Sequence, residues 1–213
     1  MAFNNTARSS RTTYFTVSNG KVRVRLKEAA DGSVARQNKN GDVVHEFVYD
    51  EFTGRLASVA IDEASFGRQW KIIFLDNTEH YTLSMPYDSS TAQKLLNLLM
   101  APELDLTQPI TLRPYDFTND KGNRVVGVTV VQNGAKTKPA FGTAAYPIDG
   151  RPEMPELEKI KYKGQEVYDS TKRLEFIVAA VESTLTPKLA SAPAPIAVDT
   201  VQPDDGGDDG LPF

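Results

Sequence analysis

Apolar and polar residues alternate along much of the chain with a period of two, which predicts a mainly β protein. Within residues 21–27 the alternation is strict, and it places apolar residues on one side of a predicted strand and basic residues on the other. The apolar set is Val22, Val24 and Leu26, and the basic set is Arg23, Arg25 and Lys27. Neighbours on one side of a strand lie about 6.6 Å apart, comparable to the phosphates of an extended nucleic-acid strand. The basic side is a candidate phosphate-binding strip, although the solvated face of an edge strand would carry the same pattern.

Other strands are predicted where alternating runs are bounded by glycine, asparagine or aspartate. Asn19-Gly20 and Asp76-Asn77 are typical of hairpin turns. Residues 28–42 predict a long loop, and residues 132–168 give no assignment. The predicted strands are two within residues 13–27 and one each at 43–52, 55–61, 68–75, 79–85, 110–117 and 124–131.

Two segments predict amphipathic helices. The first begins with a capping box formed by Ser90 and Gln93 and continues with apolar residues at helical spacing. The second is predicted over about 170–185, with Asp169 as its cap and Pro187 as its end.

The element order of several strands, a helix and a final hairpin predicts an OB-fold, a five-stranded Greek-key barrel, with an extra hairpin arm and two helices. Four segments are expected. They are a flexible N-terminal arm (1–12), the OB-fold domain (13–150), a C-terminal extension whose amphipathic helix packs on the barrel (151–186), and a disordered acidic tail (187–213).

Composition narrows the function. The chain contains no cysteine and two histidines, which argues against disulfide scaffolds, cysteine nucleophiles and thiolate metal sites. It contains no Walker sequence, dinucleotide fingerprint or nucleophile elbow. No apolar run approaches the roughly 20 residues of a membrane span, and no secretory signal is visible. We therefore expect a cytoplasmic protein that is not an enzyme, has no metal or cofactor and does not bind membranes.

The formal charge of −4 is unevenly distributed. Residues 1–40 hold eight basic residues against two acids, whereas residues 186–213 hold one basic residue against five acids. This asymmetry predicts a chain that binds a polyanion with its body and carries an acidic segment for another purpose.

The acidic segment ends in an apolar triplet. An aromatic ring next to the terminal carboxylate can fill a basic-rimmed pocket on a partner, while the aspartates speed the encounter. A solubilising appendage is the alternative, but the aromatic end favours a partner-binding tip. The proposed tip residues are Asp204, Asp205, Asp208, Asp209, Leu211, Pro212 and Phe213.

The last six residues, Asp-Asp-Gly-Leu-Pro-Phe, resemble the C-terminal tip of bacterial single-stranded DNA-binding proteins, which typically end in Asp-Asp-(Asp)-Ile-Pro-Phe. The barrel with a long insert and a second helix is more similar to the divergent members found in bacteriophages. The resemblance implies an OB-fold that binds single-stranded DNA during replication, recombination and repair, and a tail that recruits partner enzymes. The usual opening strand of the bacterial family is absent, so a monomer or dimer is expected rather than a tetramer.

Binding of a single strand without sequence preference needs cations along the backbone and flat side chains for the bases. Three segments besides the basic strip offer both, although their rings could belong to the core instead. They are a strand with Arg113, Tyr115 and Phe117 on one side, a strand with Arg68, Trp70 and Lys71, and a predicted flexible clamp with Lys136, Lys138 and Phe141. Tyr14 and Phe15 are weaker candidates.

Two other functions fit the same features. The barrel could bind a protein, with the tail as a second docking peptide, or it could bind RNA.

Overall fold

The computed structural model describes residues 12–38, 40–64, 67–77 and 79–191 of the chain. This part is mainly β, as predicted from the alternation. The strands are β1 (Thr12–Ser18), β2 (Lys21–Leu26), β3 (Val34–Gln37), β4 (Val43–Tyr49), β5 (Phe52–Ala64), β6 (Gly67–Asp76), β7 (Glu79–Pro86), β8 (Ile110–Thr118), β9 (Arg124–Gln132), β10 (Ala135–Lys136), β11 (Glu158–Tyr162) and β12 (Gln165–Asp169). The helices are α1 (Ser90–Leu99), α2 (Thr171–Ala180) and α3 (Thr186–Ala190), and a π-helical turn (Val181–Leu185) joins α2 to α3.

Ten of these strands form one mixed sheet in the order β10-β9-β8-β5-β6-β7-β1-β2-β4-β3. Neighbours run antiparallel except for β1 and β7, which are parallel. The long strand β5 pairs with β8 at its start and with β6 over the rest of its length. It therefore connects the β5-β6-β7 meander to the hairpin of β8 and β9.

Two-residue turns set the register of two hairpins. Asn19 and Gly20 have φ angles of 50° and 68°, and Asn133 and Gly134 have 52° and 79°. Positive φ at both central residues is the type I′ geometry that matches the twist of paired strands, and Asn-Gly favours it. The hairpin turn predicted at Asn19-Gly20 is confirmed.

Helix α1 begins one residue earlier than the capping box predicts. The Ser89 hydroxyl accepts a hydrogen bond from the Ala92 N–H at 3.3 Å. The Gln93 side-chain amide donates to the Asp88 carbonyl at 3.2 Å. The assignment of Ser90 as the cap is wrong, because Ser89 is the residue with the extended backbone that a cap requires.

The core lies between the inner face of the sheet, α1 and the C-terminal helices. Leu95, Leu96 and Leu99 of α1 are fully buried, as their helical spacing predicts. Ile177 and Leu185 are buried in the same cluster. Residues of the predicted C-terminal extension therefore help to complete the main core.

The C-terminal helical segment starts within a residue of the prediction but ends later. The assignment of Asp169 as the cap is wrong, because Ser170 is the N-cap residue. A carboxylate oxygen of Asp169 accepts a hydrogen bond from the Thr171 N–H at 2.9 Å at the start of α2. The expected end at Pro187 is wrong, because the chain continues through the π-helical turn into α3. Pro187 is the second residue of α3, directly after the π-helical turn. Residues 187–190, predicted as disordered tail, are helical.

The predicted loop at 28–42 contains a strand. Strand β3 pairs with β4 at the edge of the sheet, with Val34 opposite Glu46 and Arg36 opposite Val44. Val34 is 52% exposed, so this short edge strand has no alternation of buried and polar residues for a sequence pattern to reveal.

Candidate nucleic-acid interface

Strand β8 has a buried side and an outward side. Ile110 and Leu112 are buried in the core, whereas Arg113 is exposed and Phe117 is 53% exposed. The predicted division of this strand is therefore confirmed, and the outward side carries a cation beside two aromatic residues.

The two aromatic rings on this side lie next to each other. The ring centroids of Tyr115 and Phe117 are 5.9 Å apart, with 44° between the ring planes. Gly127 of β9 lies directly opposite Tyr115, and a Cβ atom at this glycine would lie 2.2 Å from the tyrosine hydroxyl oxygen. Tyr115 therefore lies across β9 in space that only glycine leaves open. We call the Tyr115 and Phe117 pair the aromatic platform.

The cations around the platform are paired with carboxylates. The Nε atom of Arg113 lies 2.6 Å from an oxygen of Glu51. Arg124 makes a two-point contact with Asp116, at 2.8 and 2.5 Å. Its hydrogen bond lowers the pKa of the Asp116 carboxyl below its ordinary value. Both side chains of the Arg113–Glu51 pair are exposed, and such pairs contribute little to stability, so a phosphate can replace Glu51 at small cost. Asp116 is mostly buried and stays paired with Arg124.

The turn between β1 and β2 packs against the end of β8. A Cβ atom at Gly20 would lie 3.1 Å from the Asp116 amide nitrogen, and Arg124 donates to the side-chain oxygen of Asn19 at 3.3 Å. This contact places the beginning of β2 beside the aromatic platform.

One arginine of the basic strip on β2 is paired with a buried carboxylate. Arg23 is mostly buried and contacts Glu46 at 2.9 Å. Arg36, from β3, contacts the same carboxylate at 2.6 Å. Burial raises the pKa of Glu46, but the hydrogen bonds from Arg36 and Arg23 outweigh it and hold the pKa below the ordinary value. Arg25 and Lys27 remain exposed, with Lys27 just past the end of β2.

Arg23 therefore belongs to a structural ion-pair cluster. The alternation of β2 was predicted correctly, but the carboxylate on β4 that binds Arg23 could not be located from sequence.

Of the three candidates on β6, the tryptophan is buried and the two basic residues are paired with carboxylates. Trp70 is 1% exposed, its indole N–H donates to the Tyr87 carbonyl at 3.0 Å, and its ring stacks on that of Tyr87. It has no free face for a base, so the prediction of a partly exposed Trp70 is wrong. Arg68 lies over the Tyr87 ring and pairs with Glu63, and Lys71 pairs with Asp62.

The predicted clamp is anchored to the body of the protein. Phe141 packs edge-on against Phe176, with ring centroids 4.9 Å apart. Its backbone N–H donates to the Asn97 side chain at 2.8 Å, and its carbonyl accepts from the same amide at 2.9 Å. Phe141 is a packing residue, so the prediction of a flexible ring is wrong. Lys136 and Lys138 are exposed.

Sequence reasoning missed one surface, in the region left without assignment. Strands β11 and β12 pair with each other and with no strand of the large sheet among the described residues. They carry several exposed lysines and tyrosines, and we call them the Lys–Tyr hairpin (residues 158–169). The residues concerned are Lys159, Lys161, Tyr162, Lys163 and Tyr168. The sequence does contain a signal for this hairpin, because three lysines occur at alternate positions and a glycine follows the last of them.

The predicted partner-binding tip, residues 204–213, and the N-terminal residues 1–11 lie outside the part of the chain that the structure describes. Tyr14 is half exposed on β1, and Phe15 is a core residue.

Comparisons with family models, with curated proteins and with solved structures found no match. Among the described residues, no helix combines the length and apolar character needed to cross a membrane.

Proposed function

We propose that this protein binds single-stranded DNA without sequence preference. It would coat and protect the strand during replication, recombination and repair, as bacteriophage single-stranded DNA-binding proteins do. The aromatic platform carries the proposal, because two adjacent outward rings beside an exchangeable cation are what stacked bases and their phosphates require.

The strand order supports an OB-type barrel as the scaffold. Strands β5, β6 and β7 form a meander, α1 follows, and β8 returns to pair with β5 before β9 completes the hairpin. A Greek-key barrel of the OB type has this succession, with its helix between the third and fourth strands. Strands β1 to β4 continue the same sheet beyond β7, where the sequence predicted one extra hairpin arm.

Binding in this arrangement replaces ion pairs within the protein by ion pairs with DNA. Bases stack on Tyr115 and Phe117, while Arg113 exchanges its carboxylate for a phosphate. Such a surface recognises the backbone and the flat faces common to all bases, so it is insensitive to sequence. Recruitment of partner enzymes would fall to the acidic tip at residues 204–213.

The platform is tested with the double variant Tyr115→Ala/Phe117→Ala. Each base–aromatic stack contributes roughly 1–3 kcal/mol, so the Kd for a labelled oligo(dT) should rise at least tenfold. Fluorescence anisotropy of the label is the suitable measurement, since Trp70 is buried. Tyr146→Ala is the matched control, because Tyr146 is 81% exposed but lies outside the sheet. Equal affinity of the double variant and the control would contradict the proposal.

The same titration separates the other functions. A preference for poly(U) over oligo(dT) would indicate an RNA-binding protein. Absence of binding to either polymer at micromolar concentrations would favour a protein-interaction adaptor.

A further inference from the structure

The Lys–Tyr hairpin stands apart from the sheet and exposes its side chains. All five residues of β11 are exposed, and Tyr162 and Tyr168 are 59% and 65% exposed. An ion pair between Glu158, at the base of the hairpin, and Lys172 connects the hairpin to α2. An exposed two-stranded ribbon with aromatic residues contributes little to the core, so its composition calls for another explanation.

Its lysines differ from the cations of the sheet. Lys159, Lys161 and Lys163 form no ion pair with a carboxylate in the described part of the chain, although Glu166 lies opposite Lys161 in the strand register. Lys159 and Lys161 lie on one face of the hairpin, about 6.6 Å apart along the strand.

Two of these lysines lie near the hairpin's rings. The Lys159 ammonium is 5.8 Å from the centroid of the Tyr168 ring, directly across the ribbon. The Lys163 ammonium is 5.3 Å from that of Tyr162. Each face of the ribbon therefore presents a ring next to a cation, the combination that binds a base together with its phosphate.

The turn of the hairpin has an unusual residue at its tip. Lys163 and Gly164 have φ angles of 50° and 81°, the same type I′ geometry as Asn19-Gly20 and Asn133-Gly134. Asparagine favours this conformation and lysine does not. A lysine at this position is less favourable for the backbone conformation than an asparagine would be. It places a positive charge at the outermost point of the ribbon.

We propose that the Lys–Tyr hairpin is a second contact site for single-stranded DNA. Lys159, Lys161 and Lys163 bind phosphates, and Tyr162 and Tyr168 stack on bases. This inference rests on the proposed function and extends the path of the strand beyond the aromatic platform. It also accounts for a ribbon that is exposed on both faces and rich in lysine.

The lysines are tested through the salt dependence of binding. For single strands, the slope of log K against log salt changes by about 0.7 for each phosphate contact. The double variant Lys159→Gln/Lys161→Gln should therefore flatten the slope by about 1.4 and weaken oligo(dT) binding about tenfold at low salt. The matched control is Lys94→Gln/Lys188→Gln, which removes two helix lysines that form no ion pair in the described part of the chain. This control should keep the wild-type slope.

The turn provides a test in which folding and binding move in opposite directions. Lys163→Asn gives the hairpin the Asn-Gly turn used elsewhere in the protein, so the melting temperature should stay constant or rise. Affinity for oligo(dT) should nevertheless fall severalfold, because the outermost cation is lost. Lower affinity caused by a disordered hairpin would instead appear as a loss of stability.

The rings are tested with Tyr162→Ala/Tyr168→Ala, measured on oligo(dT) and on an abasic strand of the same length. Loss of stacking should weaken binding to oligo(dT) at least tenfold and leave the abasic strand unchanged.

The possible results separate this inference from the proposed function. If wild-type protein binds oligo(dT), the platform variant weakens binding and the hairpin variants behave like their controls, the hairpin inference is overturned and the proposed function stands. If wild-type protein does not bind oligo(dT), both are overturned. Loss of affinity in the hairpin variants with their controls unchanged supports the inference.

Discussion

The large sheet and the Lys–Tyr hairpin use their positive charges in different ways. On the sheet, Arg23, Arg113 and Arg124 each contact a carboxylate within 3 Å. On the hairpin, Lys159 and Lys161 have no such partner in the described part of the chain. Each of these three arginines therefore has its charge balanced by a carboxylate, while the hairpin presents unpaired lysines to the solvent.

This difference predicts separate roles in binding. Unpaired lysines on a protruding ribbon attract a polyanion over a distance and increase the rate of encounter. Arg113, beside the aromatic platform, has to exchange its partner, so it acts only once the strand has arrived. The hairpin would control capture and the salt dependence, and the sheet would control the bound geometry.

The largest expected difference between the two regions is in stability. Trp70→Ala removes a side chain that is 1% exposed and stacks on Tyr87, and such core truncations cost about 3–5 kcal/mol. Tyr168→Ala on the exposed hairpin should change the free energy of unfolding by less than about 0.5 kcal/mol. Urea unfolding of both variants measures this contrast. Comparable losses would mean that the hairpin is part of the cooperative core.

The next prediction concerns the buried carboxylate of the sheet. Glu46→Gln removes the charge that Arg23 and Arg36 share, and losing hydrogen bonds to a charged group should cost about 1–3 kcal/mol at pH 7. Affinity for oligo(dT) should rise in the folded variant, because two arginines lose their carboxylate.

The pH dependence of the same variant provides a check. The pKa of Glu46 is lowered in the folded state, so the folded protein binds fewer protons than the unfolded chain near this pKa. Its stabilisation is complete above the unfolded pKa of about 4.3 and is lost as the pH falls through the folded pKa. The difference between wild type and Glu46→Gln should therefore shrink with acidification. A constant difference from neutral to acidic pH would contradict this role for Glu46.

The parts of the fold that could be predicted from sequence depend on local patterns. The alternation along β2 and β8 and the Asn19-Gly20 turn each follow from neighbouring residues, and they were predicted correctly. The position of β3 was not, because an exposed edge strand is defined only by its partner β4. The continuation past Pro187 depends on a π-helical turn that packs Leu185 into the core, which no local propensity indicates.

The candidate site shows the same limit. Arg113, Tyr115 and Phe117 were placed on one side of a strand by alternation alone. Whether Trp70 or Phe141 faces solvent depends on Tyr87 and Phe176. These two residues lie far from their partners in the sequence and meet them only when the protein folds. Carboxylate partners such as Glu46 belong to other strands, so charge counts along one strand overstate the free positive charge.

A smaller effect is expected from the acidic segment. Deleting residues 204–213 removes four aspartates that would compete with DNA for positive charge in the same molecule. Affinity for oligo(dT) should rise severalfold at low salt, and the gain should vanish at high salt through screening. The gain should depend on Lys159 and Lys161 more than on Arg113, because the hairpin cations are unpaired. The deletion should also abolish capture of partner enzymes. Unchanged affinity together with unchanged capture would refute this role of the segment.

The smallest expected effect comes from freeing one cation of the sheet without disturbing the core. Glu51→Gln removes the carboxylate that Arg113 contacts at 2.6 Å. Because both side chains are exposed, stability should change by less than about 1 kcal/mol. Arg113 would then resemble the hairpin lysines, and affinity for oligo(dT) should rise by a few-fold with a steeper salt dependence. Asp62→Gln, which frees Lys71 on β6 away from the platform, is the matched control. An equal gain from both variants would show that overall charge matters more than position beside the aromatic rings.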